Sequence, residues 1–280
     1  MKIALGTAQF GLDYGISNNS GKVPIGEVKD ILDFAISNDI NTLDTATVYG
    51  DSEKVLGEVG VGDFNIITKT IPLKGNSNNV VDAFYQSLNN LKRSEINSLL
   101  IHDINDVQSS DFEVLFDKLI KLKEEGLIKK IGFSTYTPSQ VDFLLTNFDF
   151  DLIQLPFNVF DTRLIEGGQL KSLKNHDVEI HARSTFLQGV LVDFESLSDY
   201  FLIWKKYFDE YQSIVKESGL SLLSYALNFS LNIHEIDKVL VGVNSKKQLT
   251  EIIKEVKREI SIEPYPINDV NLLNPSLWKA

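Results

Sequence analysis

The chain predicts an α/β protein of the (β/α)₈ TIM-barrel class, built as one domain over residues 1–280. Three observations carry that expectation. A β-branched apolar run, a polar break and an amphipathic helical stripe follow one another eight times along the sequence. The length of 280 residues suits a single barrel, which typically takes about 250. No Gly-x-Gly-x-x-Gly run follows the first strand, which argues against the alternative of an open doubly wound sheet.

Taken in order, strand one is Lys2–Gly6, followed by a polar loop at Ser17–Pro24 and a helix stripe of Val28, Ile31, Leu32 and Ala35. Strand two, Ile40–Leu43, ends at Asp44 and leads into a short helix over Asp51–Val59. Strand three, Phe64–Thr68, ends at Lys69, and Val81, Phe84, Leu88 and Leu91 form its helix stripe. Strand four, Ser98–Ile101, ends at His102; Phe112, Leu115, Phe116 and Leu119 follow as a helix. Strand five, Lys130–Phe133, ends at Ser134, and Thr137-Pro138-Ser139-Gln140 reads as a capping box opening the next helix. Strand six is Leu152–Leu155 and is closed by Pro156; a weaker helix over Leu164–Leu173 precedes strand seven, Glu179–Ala182, which ends at Arg183. Tyr200–Ser218 and Leu222–Leu231 read as helices before strand eight, Lys238–Val241, and Gly242. Leu249, Ile252, Ile253 and Val256 make the last stripe, and 261–280 is expected as an irregular tail packed through Leu272, Leu273 and Trp278.

Composition narrows the function. A net charge of −12 argues against a nucleic-acid backbone or an anionic membrane as partner. No stretch is long and apolar enough for a membrane span, and the N-terminal apolar run is too short for a signal sequence. The absence of Cys removes thiolate chemistry and fits a reducing cytoplasm, the expected location. The oligomeric state has no signature in the sequence.

Side chains alternate along a strand, so Thr42 and Asp44, Ile67 and Lys69, Leu100 and His102, and His181 and Arg183 each share a face. If the terminal members face inward, Asp44, Lys69 and His102 converge at the C-terminal mouth, where barrels keep their chemistry, and Tyr49 reaches over them from its loop. Taken singly, each has a structural reading as a cap, a solvated lysine or a hydrogen-bonded histidine. Together they form a proton-delivery device. A free phenol has a pKa of about 10, a nearby ammonium favours the phenolate, and Asp44 keeps Lys69 charged. His102 bonds a substrate oxygen or completes a relay. One proton donor with no metal and no nucleophile suits carbonyl reduction with hydride from a cofactor.

The run Leu43-Asp44-Thr45-Ala46-x-x-Tyr49-Gly50, followed by Ser52-Glu53 and Leu56-Gly57, resembles the aldo-keto reductases. Lys69, the Leu-Leu-Ile-His run to His102, Gly132-Phe133-Ser134, Gln154 and Leu187-Gln188-Gly189 extend the resemblance over nearly the whole chain. It implies a catalytic tetrad of Asp44, Tyr49, Lys69 and His102, and a nicotinamide dinucleotide bound without a Rossmann domain. Gly6, Thr7 and Asp44 match the nicotinamide-ribose end, and Ser134, Thr135 and Gln154 the carboxamide contacts, although Thr135 stands where Asn is common. Arg183 aligns with the usual aromatic that stacks on the ring; a planar guanidinium can stack, yet a cation disfavours the oxidised, positively charged ring. An anionic substrate, a weaker cofactor grip or a specialised subfamily are the readings of that departure. Ser184, Leu187, Gln188 and Gly189 match the pyrophosphate loop, and Gly242, Asn244, Lys246, Gln248 and Glu251 the adenosine end. NADPH is expected on family grounds, through Lys246 or Lys247, with NADH as the alternative; Gln248 could instead complete a Ser245 capping box.

The expected activity is reduction of a small aldehyde or ketone, sugar-derived or anionic. Phe10, Tyr14, Phe157, Asn158 and Phe160 are either substrate contacts or rim packing. Two other functions compete: a non-catalytic dinucleotide-binding regulatory subunit, and a metal-dependent hydrolase using His102, Asp103 and His181. The latter lacks a His pair on strand one, where Gly6-Thr7-Ala8 stands, and no metal is expected.

Overall fold

Among the described residues, eight parallel strands close into a barrel in sequence order. They are β1 (Ile3–Gly6), β2 (Thr42–Asp44), β3 (Asn65–Lys69), β4 (Ile96–Ile101), β5 (Ile128–Ser134), β6 (Leu152–Pro156), β7 (Glu179–Arg183) and β8 (Lys238–Gly242). β8 pairs back onto β1. The computed structural model describes residues 1–16, 18, 21–257 and 260–278. Ser17, Asn19 and Ser20 of the expected first loop, and Lys279 and Ala280 of the expected tail, lie outside the described residues.

The strand alternation sorts two apolar sets. Outward residues such as Leu5, Leu43, Ile66, Leu99, Ile101, Ile153 and Ala182 join one continuous core with the surrounding helices. Inside the barrel, Ile67, Leu100 and Leu152 form a separate small cluster. Gly132 of β5 makes room for it, since a Cβ there would stand 2.0 Å from the Leu152 carbonyl and 2.6 Å from Leu100 Cδ2. In register, Asp44 lies beside Ile67 and Lys69 beside Leu100. The polar layer therefore begins directly on this apolar floor. His181 and Glu179 also share a face of β7; Nε2 of His181 lies 2.6 Å from Glu179 Oε1, and Lys130 pairs with the same carboxylate. Burial pushes Glu179 up, but these bonds outweigh it and hold its carboxyl at about 2.

Three helical expectations are adjusted. The buried stripe of the Ser77–Leu91 helix runs through Val80 rather than Val81 and keeps Phe84, Leu88 and Leu91, because Val80 stands four residues before Phe84 and shares its face. The Leu164–Leu173 helix divides into Arg163–Glu166 and Gln169–Asn175 at Gly167-Gly168, where Gly168 takes φ +79°. Tyr200–Ser218 is a 3₁₀ stretch over Asp199–Trp204 leading into a helix at Lys205–Ser218. Contact with the tail shapes that stretch: Trp204 Nε1 donates to Asp269 Oδ2 at 2.8 Å, and Phe201 meets the Trp278 ring edge-on. Leu272 and Leu273 of the tail are buried, within a short helix at Val270–Leu273. The Thr137–Gln140 capping box forms, with Pro138 at the first helical position. No described helix is long and apolar enough to cross a membrane.

Candidate active site

Asp44, at the end of β2, points into the barrel and is nearly fully buried. A carboxylate there needs a cation and hydrogen bonds, and it has both. Lys69 Nζ donates to each of its oxygens at 2.7 Å, and Gln154 Nε2, from the far side of the barrel, donates to Oδ1 at 2.7 Å. Lys69 Nζ also donates to the Thr45 carbonyl at 2.9 Å. Burial alone would lower Lys69, but the Asp44 charge and the Tyr49 contact outweigh it and hold the ammonium above its ordinary range. The Tyr49 hydroxyl lies 3.4 Å from Lys69 Nζ, and the ammonium sits 5.0 Å from the centre of the Tyr49 ring.

His102, just beyond β4, completes the group. Its ring meets Tyr49 edge-on, with centroids 6.0 Å apart. Burial first, and the Lys69 charge second, push its pKa down to about 4. The imidazole is therefore neutral near pH 7 and offers a hydrogen bond rather than a charge.

Tyr49 is placed by backbone rather than by side-chain packing. A Cβ on Gly11 would stand 1.9 Å from the Tyr49 carbonyl oxygen, and Gly50 takes φ +56° with the Gly11 carbonyl beside it. Only with two glycines can the β1 and β2 loops press together this closely. Thr7 and Ser52 brace the same junction. Thr7 Oγ1 donates to the Asp44 carbonyl at 3.0 Å, and Ser52 Oγ lies 2.8 Å from both oxygens of Thr7. Thr7 is fully buried, so it supports the strand that carries Asp44. Gly11 escaped the sequence reading, because its need for Gly arises from a loop 38 residues away in the chain.

The opposite side of the mouth is built differently. After β7, Ser184 (φ +60°), Leu187 (φ +47°), Gln188 (φ +55°) and Gly189 (φ +105°) bring left-handed backbone into one short loop. Each such non-glycine residue costs about 1–3 kcal/mol, and they gather at ligand sites. Backbone turns of this kind form anion-binding concavities. Gln188 Nε2 reaches the Tyr14 hydroxyl at 3.3 Å, linking this loop to the β1 loop. Thr135 Oγ1, Thr185 Oγ1 and Asn244 Oδ1, which follow β5, β7 and β8, are buried without a hydrogen-bond partner among the described residues. Ser134 ends β5 alongside Gln154. Arg183 ends β7 and lies against Tyr136, with its Cζ 4.2 Å from the ring centre.

At the end of β8, Gly242 approaches Gln9 closely, where a Cβ would stand 2.5 Å from Gln9 Nε2. Ser245 caps the last barrel helix by accepting from the Gln248 N–H at Oγ, and Gln248 Oε1 in turn accepts from the Asn244 N–H at 2.7 Å. Glu27, from the Ile25–Ile36 helix, accepts from the Lys246 N–H at 2.7 Å. The Lys246 ammonium sits 5.5 Å from the centre of the Phe34 ring, and Lys247 pairs loosely with Glu251 at 3.9 Å. Of the rim candidates, Phe10, Phe157, Asn158 and Phe160 are fully buried and serve packing, while Tyr14 stays 41% exposed at the mouth. Among the described residues no group of three His, Asp or Glu is arranged to hold a metal ion.

Comparison with known proteins bears on the fold and the family. An uncharacterized oxidoreductase, YqkF, of Bacillus subtilis is 26% identical over 211 residues, covering 69% of this chain and 67% of its own. L-galactose dehydrogenase of Arabidopsis thaliana is 26% identical over 249 residues, covering 78% of this chain and 74% of its own. Among solved structures, the aldo-keto reductase AKR11C1 from Bacillus halodurans in its holo form superposes with a TM-score of 0.73 at 19% identity. It covers 93% of this chain and 87% of its own, and shares the fold. The family model "Aldo/keto reductase family" matches residues 2–269, and the chain belongs to that family of oxidoreductases.

Proposed function

We propose that the chain reduces an aldehyde or ketone to an alcohol with NAD(P)H, Tyr49 acting as general acid assisted by Lys69, Asp44 and His102. The observation that carries this reading is a fully buried ammonium, paired with Asp44, 3.4 Å from the Tyr49 hydroxyl. Asp44 keeps Lys69 charged. The ammonium stabilises the phenolate as the Tyr49 proton moves to the carbonyl oxygen. Neutral His102 donates a hydrogen bond to that oxygen and orients the carbonyl. A bound reduced nicotinamide supplies the hydride to the carbonyl carbon.

The residues on the β5–β8 side fit such a dinucleotide. Buried polar atoms without partners call for a ligand or water, and those of Thr135, Thr185 and Asn244 line its expected course. In this reading Gly6 and Asp44 bracket the nicotinamide ribose, and Ser134, Thr135 and Gln154 lie near the carboxamide above Arg183. Ser184, Leu187, Gln188 and Gly189 hold the pyrophosphate. Gly242, Asn244, Lys246, Gln248 and Glu251 take the adenosine end, consistent with barrel phosphate sites after strands seven and eight. A sugar-derived carbonyl is the favoured substrate class, in keeping with the Arabidopsis relative named for L-galactose; an anionic carbonyl is the alternative raised by the charge of Arg183.

NADPH is the first reading of the dinucleotide. Glu27 favours a second, NADH, because its carboxylate sits on the Lys246 N–H and would repel a 2′-phosphate there. Titration with each dinucleotide decides between them. The mechanism is tested with Tyr49→Phe: turnover across a carbonyl panel should fall by about 10²–10⁴ while dinucleotide quenching of Trp fluorescence is kept. Unchanged turnover removes Tyr49 from the mechanism. A wild-type chain that binds dinucleotide yet oxidises none of it across the panel would be the regulatory subunit instead.

A further inference from the structure

Proton delivery gives no task to Arg183. Its Nη2 donates to the Thr135 carbonyl at 2.9 Å, its Nη1 reaches Ser184 Oγ at 3.4 Å, and its plane rests on Tyr136. Thr135 follows β5 and Arg183 ends β7, so the side chain spans the end of β6, which carries Gln154. Bonds and ring together fix the guanidinium in the mouth rather than leaving it to swing in solvent.

Its charge is not cancelled. Lys69 is paired with Asp44, and Arg163, another partly buried arginine, is paired with Asp161. Among the described residues Arg183 has hydroxyl, carbonyl and ring contacts but no carboxylate within ion-pair distance. Its field reaches the catalytic group, since it adds to burial and Lys69 in disfavouring the charged form of His102.

We infer that Arg183 makes the site discriminate between the redox forms of its dinucleotide, holding the neutral reduced nicotinamide more tightly than the cationic oxidised ring. This rests on the dinucleotide reading above, in which the ring lies over Arg183. The reduced ring meets the guanidinium as a flat, neutral partner. The oxidised ring brings a second positive charge to the same place. Two unit charges stacked about 4 Å apart repel enough to change affinity about fivefold in a water-like medium and several hundredfold at an effective dielectric of about 20. Arg183 is half-buried, so screening places the expected preference at about tenfold or more. The oxidised product is then released readily and inhibits weakly.

The test is binding, not turnover. The purified chain is titrated with NADPH, NADP⁺, NADH and NAD⁺, following quenching of Trp204 and Trp278. The ratio of oxidised to reduced Kd should be about ten or more in wild type and in Arg183→Lys, which keeps the charge. It should fall about tenfold in Arg183→Gln, which keeps a donor for the Thr135 carbonyl and loses the charge. An equal ratio in wild type and Arg183→Gln, or parity in wild type, overturns the inference. If Arg183→Gln does not fold, wild type alone decides: its ratio must exceed about ten and narrow as salt is added. Binding of neither redox form by wild type overturns the dinucleotide reading itself, a different outcome from parity.

Discussion

The two sides of the barrel mouth are finished to different degrees. On the β2–β4 side, Lys69 satisfies both oxygens of Asp44 at 2.7 Å, and Gln154 of β6 donates to the same carboxylate from across the barrel at 2.7 Å. On the β5–β8 side, Thr135, Thr185 and Asn244 keep buried atoms without partners, and the backbone after β7 turns left-handed at non-glycine residues. The first side is preorganised by the protein alone. The second holds buried polar atoms without partners among the described residues and left-handed backbone, the features on which the proposed dinucleotide site rests. A site that delivers a proton must hold its charges before substrate arrives, whereas a site that grips a long ligand must leave donors and acceptors open for it.

Variants that attack each side should therefore behave in opposite ways. The largest effect is expected from Lys69→Met, which leaves the Asp44 carboxylate buried with Gln154 as its remaining side-chain donor. Loss of one partner of a buried pair costs about 3–5 kcal/mol, read as a lower urea midpoint. A loss below about 1 kcal/mol would show that the pair is not desolvated as its burial implies.

A middle-sized effect should come from pH. Unfolded His102 takes up its proton near pH 6.5 and the folded one near 4. Between those values the unfolded chain binds more protons, so this contribution is present above pH 6.5 and is lost as pH falls toward 4. With allowance for partial exposure it amounts to about 2 kcal/mol. His102→Asn should therefore be less sensitive than wild type to a drop from about pH 7 to pH 5 in urea unfolding; parallel slopes would mean that His102 is not held neutral.

The smallest effect, and of opposite sign, is expected on the β5 side. Thr135→Val removes a buried hydroxyl that has no partner. Without dinucleotide it should be neutral or stabilising by about 1 kcal/mol, while dinucleotide affinity falls about fivefold in a fluorescence titration. Destabilisation with unchanged affinity would erase the contrast between the two sides.

How much of this was readable beforehand follows from the range of each interaction. The eight strand ends were legible because each β-branched run meets its polar break locally. The break at Gly167-Gly168 was not legible, since a glycine pair outweighed apolar spacing there, and in the Ser77–Leu91 helix one stripe position of four, Val80 for Val81, differed. The convergence of Asp44, Tyr49, Lys69 and His102 at the mouth was legible through strand alternation and the run around Asp44 and Tyr49. Gly11, Tyr136 and Glu27 were not, because each matters through a contact with another loop or helix.

By itself, then, the sequence determined the barrel, its eight strands and the placing of Asp44, Lys69 and His102 at the ends of β2–β4, since these follow from periodicity and from which residue closes each strand. The tertiary structure alone decided that Gln154 donates to Asp44 from across the barrel, that Glu27 accepts from the first N–H of the last barrel helix, and that Arg183 lies on Tyr136 with no carboxylate at ion-pair distance among the described residues. Those outcomes depend on distances between residues remote in the chain. Local pattern carries no information about such distances until the barrel closes.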